Sequence, residues 1–299
     1  NEQSHRGPDD DGIYLSEKDP IGLGHNRLSI QDLSSLGHQP MLSIDERVAL
    51  VFNGEIYNFK ELRSNLEAKG IPFRGGSDTE VLLNLYIDKG VEMLPLLNGI
   101  FAFALWDSAK QELFIARDGL GVKPLYYYSS VNNFSFASEI KALFHLVPED
   151  QHVDHEALHR YLTFLWCPGE GTPVKSVRKL LPGEALLVRE DGIKRKWAWY
   201  RLPYFKEKAP SLDQSKSIQG TVRNLRQAVH RQMVSDVPVG AFLSGGLDSS
   251  AVVAFAREQN PDIRCFTIET SGGQEDGMAD DLPYARQVAK HLGVPLDVV

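Results

Sequence analysis

The sequence predicts two domains of different fold class: an N-terminal α+β domain built on stacked antiparallel sheets, and the beginning of an α/β domain with a doubly wound parallel sheet. Before residue 146, short apolar runs separated by turn residues indicate strands. After residue 215, apolar strands alternate with helical patterns, which favours a parallel sheet. We place the domains at 1–146 and 215–299, with a connecting region at 147–214 and an incomplete second sheet.

A hairpin and a series of strands are predicted in the first domain. The dipeptide Asn53-Gly54 lies between two short predicted strands at 48–52 and 55–57, and Asn-Gly is the strongest short hairpin signal. Further strand signals cover residues 100–107, 112–116, 125–129 and 134–137.

One helix of the first domain has clear end signals. Ser77 and Glu80 have the spacing of a capping box, an amphipathic pattern continues to Lys89, and Gly90 ends it. Asp78 falls in the first turn, where the helix dipole favours a negative charge. Another helix is expected after Asn58.

The connecting region mixes several short elements. We expect a helix over 154–165, a loop rich in Gly and Pro over 168–173, a hairpin at Asp191-Gly192 and a charged linker over 206–210.

The second domain begins with a long helix. Its apolar face is formed by Ile218, Val222, Leu225, Val229 and Met233. A strand at 237–243, a helix from 249, a strand at 263–268, a helix at 282–292 and an extended segment at 296–299 follow.

The turn between the first strand and helix of this domain has the composition of an anion site. It reads Ser244-Gly245-Gly246-Leu247-Asp248-Ser249-Ser250. The glycines allow a close backbone approach, and the helix N-terminus and hydroxyls offer donors. The run has neither the Gly-Lys-Ser/Thr ending of a P-loop nor the spacing of a dinucleotide fingerprint. The structural alternative is a tight turn with a serine cap on the helix.

This run resembles the pyrophosphate loop of ATP pyrophosphatase-type ligases. The resemblance implies that the loop holds the pyrophosphate of ATP with its Mg²⁺, that Asp248 contacts the metal, and that the adenine lies near Leu243 and Ile268. For these two side chains, a purely structural role in the strand core is the alternative. The implied ATP-binding set is Leu243, Ser244, Gly245, Gly246, Leu247, Asp248, Ser249, Ser250 and Ile268.

Motifs in the first domain identify its family by their order and spacing. They are His5-Arg6-Gly7-Pro8-Asp9, His25-Asn26-Arg27-Leu28-Ser29-Ile30, Phe52-Asn53-Gly54-Glu55-Ile56-Tyr57-Asn58, Gly76-Ser77-Asp78-Thr79-Glu80, Arg117-Asp118-Gly119-Leu120-Gly121-Val122-Lys123-Pro124-Leu125-Tyr126 and Ala137-Ser138-Glu139-Ile140-Lys141-Ala142-Leu143. Together they resemble the class II glutamine amidotransferase domain. With the pyrophosphate loop behind it, the chain resembles the glutamine-hydrolysing asparagine synthetase family over essentially its whole length.

The resemblance implies a four-layer αββα sandwich of the N-terminal-nucleophile hydrolase type and a glutamine site within it. Asn53 and Gly54 would form the oxyanion hole, Arg27 would bind the α-carboxylate, and Glu55 and Asp78 would bind the α-amino group. Alone, Arg27 would be read as a surface arginine, but its planar fork suits a carboxylate. The implied glutamine-binding set is Arg27, Leu28, Ile30, Asn53, Gly54, Glu55 and Asp78.

The implied activity is ATP-dependent asparagine synthesis from aspartate, with glutamine as nitrogen donor and β-aspartyl-adenylate as intermediate. AMP and pyrophosphate would be released. Two alternatives stay open: a related amide ligase that uses another carboxylate, and a form that binds glutamine or nucleotide without catalysis.

One departure from the family concerns the nucleophile, which in class II amidotransferases is an N-terminal cysteine thiol. The sequence begins with Asn1, and its cysteines are Cys167, in a Pro-Gly-rich stretch, and Cys265, in a predicted strand. We therefore expect a fragment that lacks a short N-terminal piece and much of the second domain, and that is inactive as a glutaminase. A natural short form is the alternative.

Composition indicates a cytoplasmic enzyme. A length of 299 residues with 42% hydrophobic residues allows two cores, and two cysteines argue against a disulfide scaffold. A net charge of −8 disfavours a nucleic-acid partner, and the basic run Lys194-Arg195-Lys196 is short. No apolar run approaches the length of a membrane span. Formation of a homodimer is left open.

Overall fold

The computed structural model describes residues 2–131, 133–147, 151–204, 213–269 and 281–299. The chain divides into two compact units, Asn1–Tyr204 and Phe205–Val299. None of the described helices is both long and apolar enough to cross a membrane.

The described residues of the first unit form three antiparallel sheets. The strands are β1 (Asp10–Leu15), β2 (Gly22–Arg27), β3 (Met41–Leu42), β4 (Val48–Ile56), β5 (Gly99–Asp107), β6 (Glu112–Arg117), β7 (Tyr126–Ser129), β8 (Phe134–Ala137), β9 (Val177–Lys179), β10 (Glu184–Arg189) and β11 (Gly192–Ala198). One sheet has six strands in the order β11-β10-β6-β5-β4-β3, one has three in the order β8-β7-β9, and one pairs β1 with β2. The helices are α1 (Phe59–Glu67), α2 (Asp78–Lys89), α3 (Ile140–Phe144) and α4 (His155–Phe164).

Alternate side chains of each strand in the six-stranded sheet point to opposite faces. Both faces are buried against other elements. On one face, Ala104 and Ile115 join a core with Leu23 of β2 and Tyr127 of β7. This core therefore lies between sheets.

The other face of the six-stranded sheet packs against helices. Phe114 of β6 stacks on Tyr86 of α2 with ring centroids 5.9 Å apart. At the far side of the unit, Leu143 of α3 packs with Tyr126 and Tyr128 of β7. The order is helix, sheet, sheet, helix, and the predicted αββα fold is confirmed.

The predicted hairpin at Asn53-Gly54 is wrong. β4 runs without interruption through both residues and pairs with β5, so that Asn53 lies opposite Ala102 and Gly54 opposite Phe101. Gly54 has a φ of 156°, and a Cβ there would lie 2.1 Å from the carbonyl oxygen of Ile100. Glycine is required by this close approach of β5 and not by a turn.

Part of the predicted connecting region belongs to the sheets of the first unit. β10 pairs with β6, and β9 pairs with β7. The hairpin at Asp191-Gly192 is present between β10 and β11. The predicted linker at 206–210 lies outside the described residues.

The second unit is a parallel sheet with helical connections, as predicted for the start of a doubly wound domain. The strands β12 (Gly240–Phe242), β13 (Arg264–Thr267) and β14 (Leu296–Val298) are parallel and lie in that order. The helices are α5 (Gln214–Gln232), α6 (Leu247–Arg257) and α7 (Leu282–Leu292). Their small core contains Val229, Leu243, Val253, Cys265 and Ala285. Of the predicted apolar face of α5, Ile218 is 56% exposed.

Candidate functional site

A pocket of about 650 Å³ lies in the first unit. It is formed where β2 and β4 end and α2 begins, and the strand β5 supplies part of its wall. The structure brings together here every residue of the glutamine-binding set predicted from the sequence: Arg27, Leu28, Ile30, Asn53, Gly54, Glu55 and Asp78.

Arg27 is a buried cation whose side chain is held by backbone carbonyl groups. Its Nη2 donates to the carbonyl oxygens of Gln31 at 3.1 Å and Asp32 at 2.5 Å, and its Nη1 donates to that of Ser34 at 3.2 Å. The chain can curl around the guanidinium because Asp32 adopts a φ of 52°. A guanidinium has five N–H donors, so these three bonds fix its position and leave donors for a ligand.

Asp78 is a buried acid at the first residue of α2. Its Oδ2 accepts a hydrogen bond from the backbone N–H of Ile56 at 2.9 Å. Burial raises the pKa of Asp78 to about 6, because the charged form is poorly solvated. The carboxylate is therefore placed where a cationic ligand group would lower its pKa again.

The start of α2 differs in one detail from the predicted capping box. Ser77 Oγ accepts from the Glu80 N–H at 3.2 Å, as expected. The Glu80 carboxylate instead accepts from the N–H groups of Arg74 and Gly75, both at 2.8 Å. It thereby fixes the loop that leads into Asp78.

Three N–H groups of β4 face the same edge of the strand. Phe101, opposite Gly54, uses its N–H and carbonyl on Asp118, so Gly54 directs its own polar groups away from β5. On that edge, Phe52 N donates to Gln39 Oε1 at 2.7 Å and Ile56 N donates to Asp78. The Gly54 N–H lies between them, and Gly54 and Asn53 both line the pocket.

Several pocket residues were not in the predicted set. Gln31 follows Ile30 directly, and its Nε2 donates to Glu55 Oε2. Lys123 lies in a motif that helped to identify the family, and burial lowers its pKa. Burial, with a smaller contribution from Arg27, lowers the pKa of His25 to about 4. His25 is therefore neutral at neutral pH.

The loop that places Lys123 is organised around one buried carboxylate. Asp118 is 1% exposed and accepts from the N–H groups of Leu120, Val122 and Lys123 at 3.0 Å and from Phe101 N at 3.2 Å. The same residue thus connects the loop to β5 beside Gly54.

The predicted pyrophosphate loop occupies the turn between β12 and α6. Gly245 has a φ of 82°, and a Cβ there would lie 2.4 Å from the backbone carbon of Tyr284. No side chain caps the N-terminus of α6. Ser244 Oγ and Ser249 Oγ are 3.0 Å apart, and Asp248 is exposed in the first helical turn. The serine hydroxyls, the N–H groups at the start of α6 and the glycines of this turn are therefore suited to binding a phosphate group.

The other residues of the predicted ATP-binding set differ in how far their side chains are exposed. The side chain of Leu243 is buried in the core of the second unit, whereas Ile268 is 63% exposed. Leu247 is exposed, and Ser250 Oγ donates to the carbonyl oxygen of Gly246 at 2.6 Å. Within the described ranges, no cluster of three or more His, Cys, Asp or Glu side chains forms a metal site.

Comparison with protein families identifies both parts of the chain. Residues 1–200 match the glutamine amidotransferase domain. The chain belongs to the glutamine amidotransferase family. Residues 221–299 match asparagine synthase. The combination is that of the glutamine-dependent, asparagine synthetase-like proteins.

The chain is similar to several curated proteins. It is 39% identical over 290 residues to asparagine synthetase [glutamine-hydrolyzing] 1 of Bacillus subtilis, covering 97% of this chain and 44% of the relative. It is 38% identical over 309 residues to a putative asparagine synthetase of Methanocaldococcus jannaschii, covering 96% and 58%. It is also 34% identical over 313 residues to amidase chry2 of Gibberella zeae, covering 99% and 45%. The chain spans about half the length of these relatives.

Proposed function

We propose that this chain provides the glutamine site and the pyrophosphate loop of an asparagine synthetase. The proposal rests above all on the convergence of the predicted glutamine-binding residues on one pocket. In that pocket a buried arginine and two carboxylates would complement the two charged groups of a free α-amino acid.

Each group has a distinct role in this proposal. Arg27 binds the α-carboxylate of glutamine, and Glu55 and Asp78 bind the α-ammonium. The side-chain amide of Asn53 and the N–H of Gly54 donate to the oxyanion that forms when the side-chain amide of glutamine is attacked. The family's nucleophile is an N-terminal thiol; Cys167 and Cys265 are both buried, and neither is among the residues that line the pocket.

The second unit would bind ATP through the loop from Ser244 to Ser250. The N–H groups at the start of α6 and the serine hydroxyls suit the pyrophosphate, and Asp248 would share a Mg²⁺ with it. ATP would activate the carboxylate of aspartate as β-aspartyl-adenylate, and ammonia from glutamine would displace AMP. Leu243 would act through its backbone only, since its side chain is in the core.

A second candidate is a ligase that joins ammonia from glutamine to a different carboxylate. This second candidate is supported by the similarity of the chain, over 99% of its length, to a protein named amidase. The two candidates share every residue discussed above. They differ in the carboxylic acid that accepts the ammonia. Pyrophosphate exchange with ATP, measured when the protein is supplied with aspartate or with other carboxylic acids, would identify this acceptor.

Titration calorimetry of the purified chain with L-glutamine tests the glutamine site. We expect saturable binding to one site, lost in Asp78→Asn and retained in the surface variant Asp11→Asn. Binding that is absent, or that is unchanged in Asp78→Asn, would contradict the proposal.

In addition, we expect a cytoplasmic enzyme without a nucleic-acid partner, and gel filtration would show whether it is a homodimer.

A further inference from the structure

We propose that Gln31 is a positioning residue that makes the glutamine site selective for a free α-ammonium group. The proposal rests on the proposed function and adds a residue outside the predicted set. Gln31 is 7% exposed, lies on the pocket wall, and follows the segment that carries Arg27.

The main chain of Gln31 fixes one side of the site. Its carbonyl oxygen accepts from Arg27 Nη2 at 3.1 Å. This bond is one of three that orient the guanidinium, so it belongs to the part of the site that would meet the α-carboxylate.

The side chain of Gln31 fixes the other side. Its Nε2 donates to Glu55 Oε2. An ionised carboxylate only accepts hydrogen bonds, so the nitrogen of the amide must face Glu55 and its oxygen must face elsewhere. One residue therefore links Arg27 and Glu55, which would bind the two charged groups on the α-carbon of an amino acid.

The amide oxygen of Gln31, Oε1, is buried and has no hydrogen-bond donor among the residues the structure describes. A buried acceptor without a donor is unfavourable, so the amide is kept in this orientation by the bond from Nε2 to Glu55. That bond fixes the Glu55 carboxylate, which together with Asp78 would bind the α-ammonium. A ligand without the ammonium would lack the group that these two carboxylates bind, so the arrangement selects free α-amino acids.

Two probes separate this role from a structural one. L-Glutamine carries the ammonium, whereas 4-carbamoylbutanoate lacks it and keeps the carboxylate and the amide. Gln31→Met removes the polar atoms of the side chain and retains the main-chain carbonyl that contacts Arg27. Gln151→Met, at an exposed site of the same unit, is the matched control.

Calorimetry with the purified chain should show tighter binding of L-glutamine than of 4-carbamoylbutanoate. In Gln31→Met the affinity for L-glutamine should fall roughly ten- to a hundredfold, as expected for lost hydrogen bonds to charged groups. The affinity for 4-carbamoylbutanoate should change by less than about twofold on the same scale, and Gln151→Met should change neither.

The inference is overturned if Gln31→Met leaves L-glutamine binding intact, or if both probes lose affinity equally. It is also overturned if the wild-type chain binds both probes equally well, a result that leaves glutamine binding itself standing. A wild-type chain that binds neither probe would overturn the proposed function, and the inference with it.

Discussion

Asp78 Oδ2 and the backbone N–H of Ile56 form a hydrogen bond of 2.9 Å, which joins the first turn of α2 to the end of β4. The bond holds a buried acid beside the strand that carries Asn53, Gly54 and Glu55. Burial nevertheless outweighs it, since the pKa of Asp78 is raised to about 6. The acid is thus kept in an unfavourable environment that a cationic ligand would improve.

The raised pKa of Asp78 predicts a pH-dependent stability. The native state retains this proton up to about pH 6, whereas an unfolded aspartate loses it near its ordinary value of 3.8. The contribution of Asp78 therefore becomes less favourable as the pH rises between these values, by about 3 kcal/mol in total. Asp78→Asn should remove this change, so that it is more stable than wild type at pH 7.5 and not at pH 4.

Urea unfolding followed by tryptophan fluorescence measures this effect in the first unit, where all the tryptophans lie: Trp106, Trp166, Trp197 and Trp199. Asp11→Asn, at an exposed position, is the control. Equal stability of Asp78→Asn and wild type at pH 7.5 would show that burial does not disfavour the charged carboxylate.

The affinity of the wild-type chain for L-glutamine should decrease below about pH 6, as Asp78 becomes protonated.

Gly54→Ala should strongly destabilise the first unit. The added Cβ would lie 2.1 Å from the carbonyl oxygen of Ile100, on the neighbouring strand. We expect a loss on the order of 3 kcal/mol in urea unfolding. At Gly76 the nearest atom to an added Cβ is 3.8 Å away, so Gly76→Ala is the control. If both variants unfold at the same urea concentration, β4 and β5 do not approach as described.

Arg27→Lys should weaken ligand binding on the carboxylate side. A lysine ammonium cannot reproduce the planar fork that contacts three carbonyl groups. We expect the affinities for L-glutamine and 4-carbamoylbutanoate to fall together, by at least about tenfold. Arg189→Lys, at an exposed ion pair with Glu112, should leave both unchanged. A loss for L-glutamine alone would contradict the assignment of Arg27 to the α-carboxylate.

Asp248→Asn should weaken binding of magnesium pyrophosphate and leave the fold intact. Asp248 is exposed at the N-terminus of α6, so its structural contribution is limited to about 0.3–1 kcal/mol. Calorimetric titration should show an affinity lower by about tenfold or more, on the premise that a metal ligand is lost. The exposed Asp262→Asn is the control. Unaltered affinity in Asp248→Asn would remove this residue from the metal site.

Local signals were sufficient for some elements and insufficient for others. The helix α2 was predicted from Ser77 and Gly90, because caps and glycine stops act within one turn of the chain. The hairpin at Asn53-Gly54 was wrong, because the special conformation of Gly54 is imposed by Ile100, which is far along the sequence. No local pattern reports such a contact.

The same distinction applies to the site. Arg27, Asn53 and Asp78 were predicted because each lies in a motif shared with a family, and all three line one pocket. Gln31 was not in the predicted set, since the role that we propose for it depends on two bonds that are visible only in the folded chain. For Leu243, the sequence left a role in the strand core open beside a contact with adenine, and the structure places its side chain in the core.

A crystal structure of the chain with L-glutamine tests the central claim most directly. We expect the α-carboxylate on Arg27, the α-ammonium between Glu55 and Asp78, and the side-chain amide oxygen within hydrogen-bond distance of Asn53 and the Gly54 N–H. Glutamine bound elsewhere, or bound here with its α-carbon away from Arg27 and Asp78, would contradict the account.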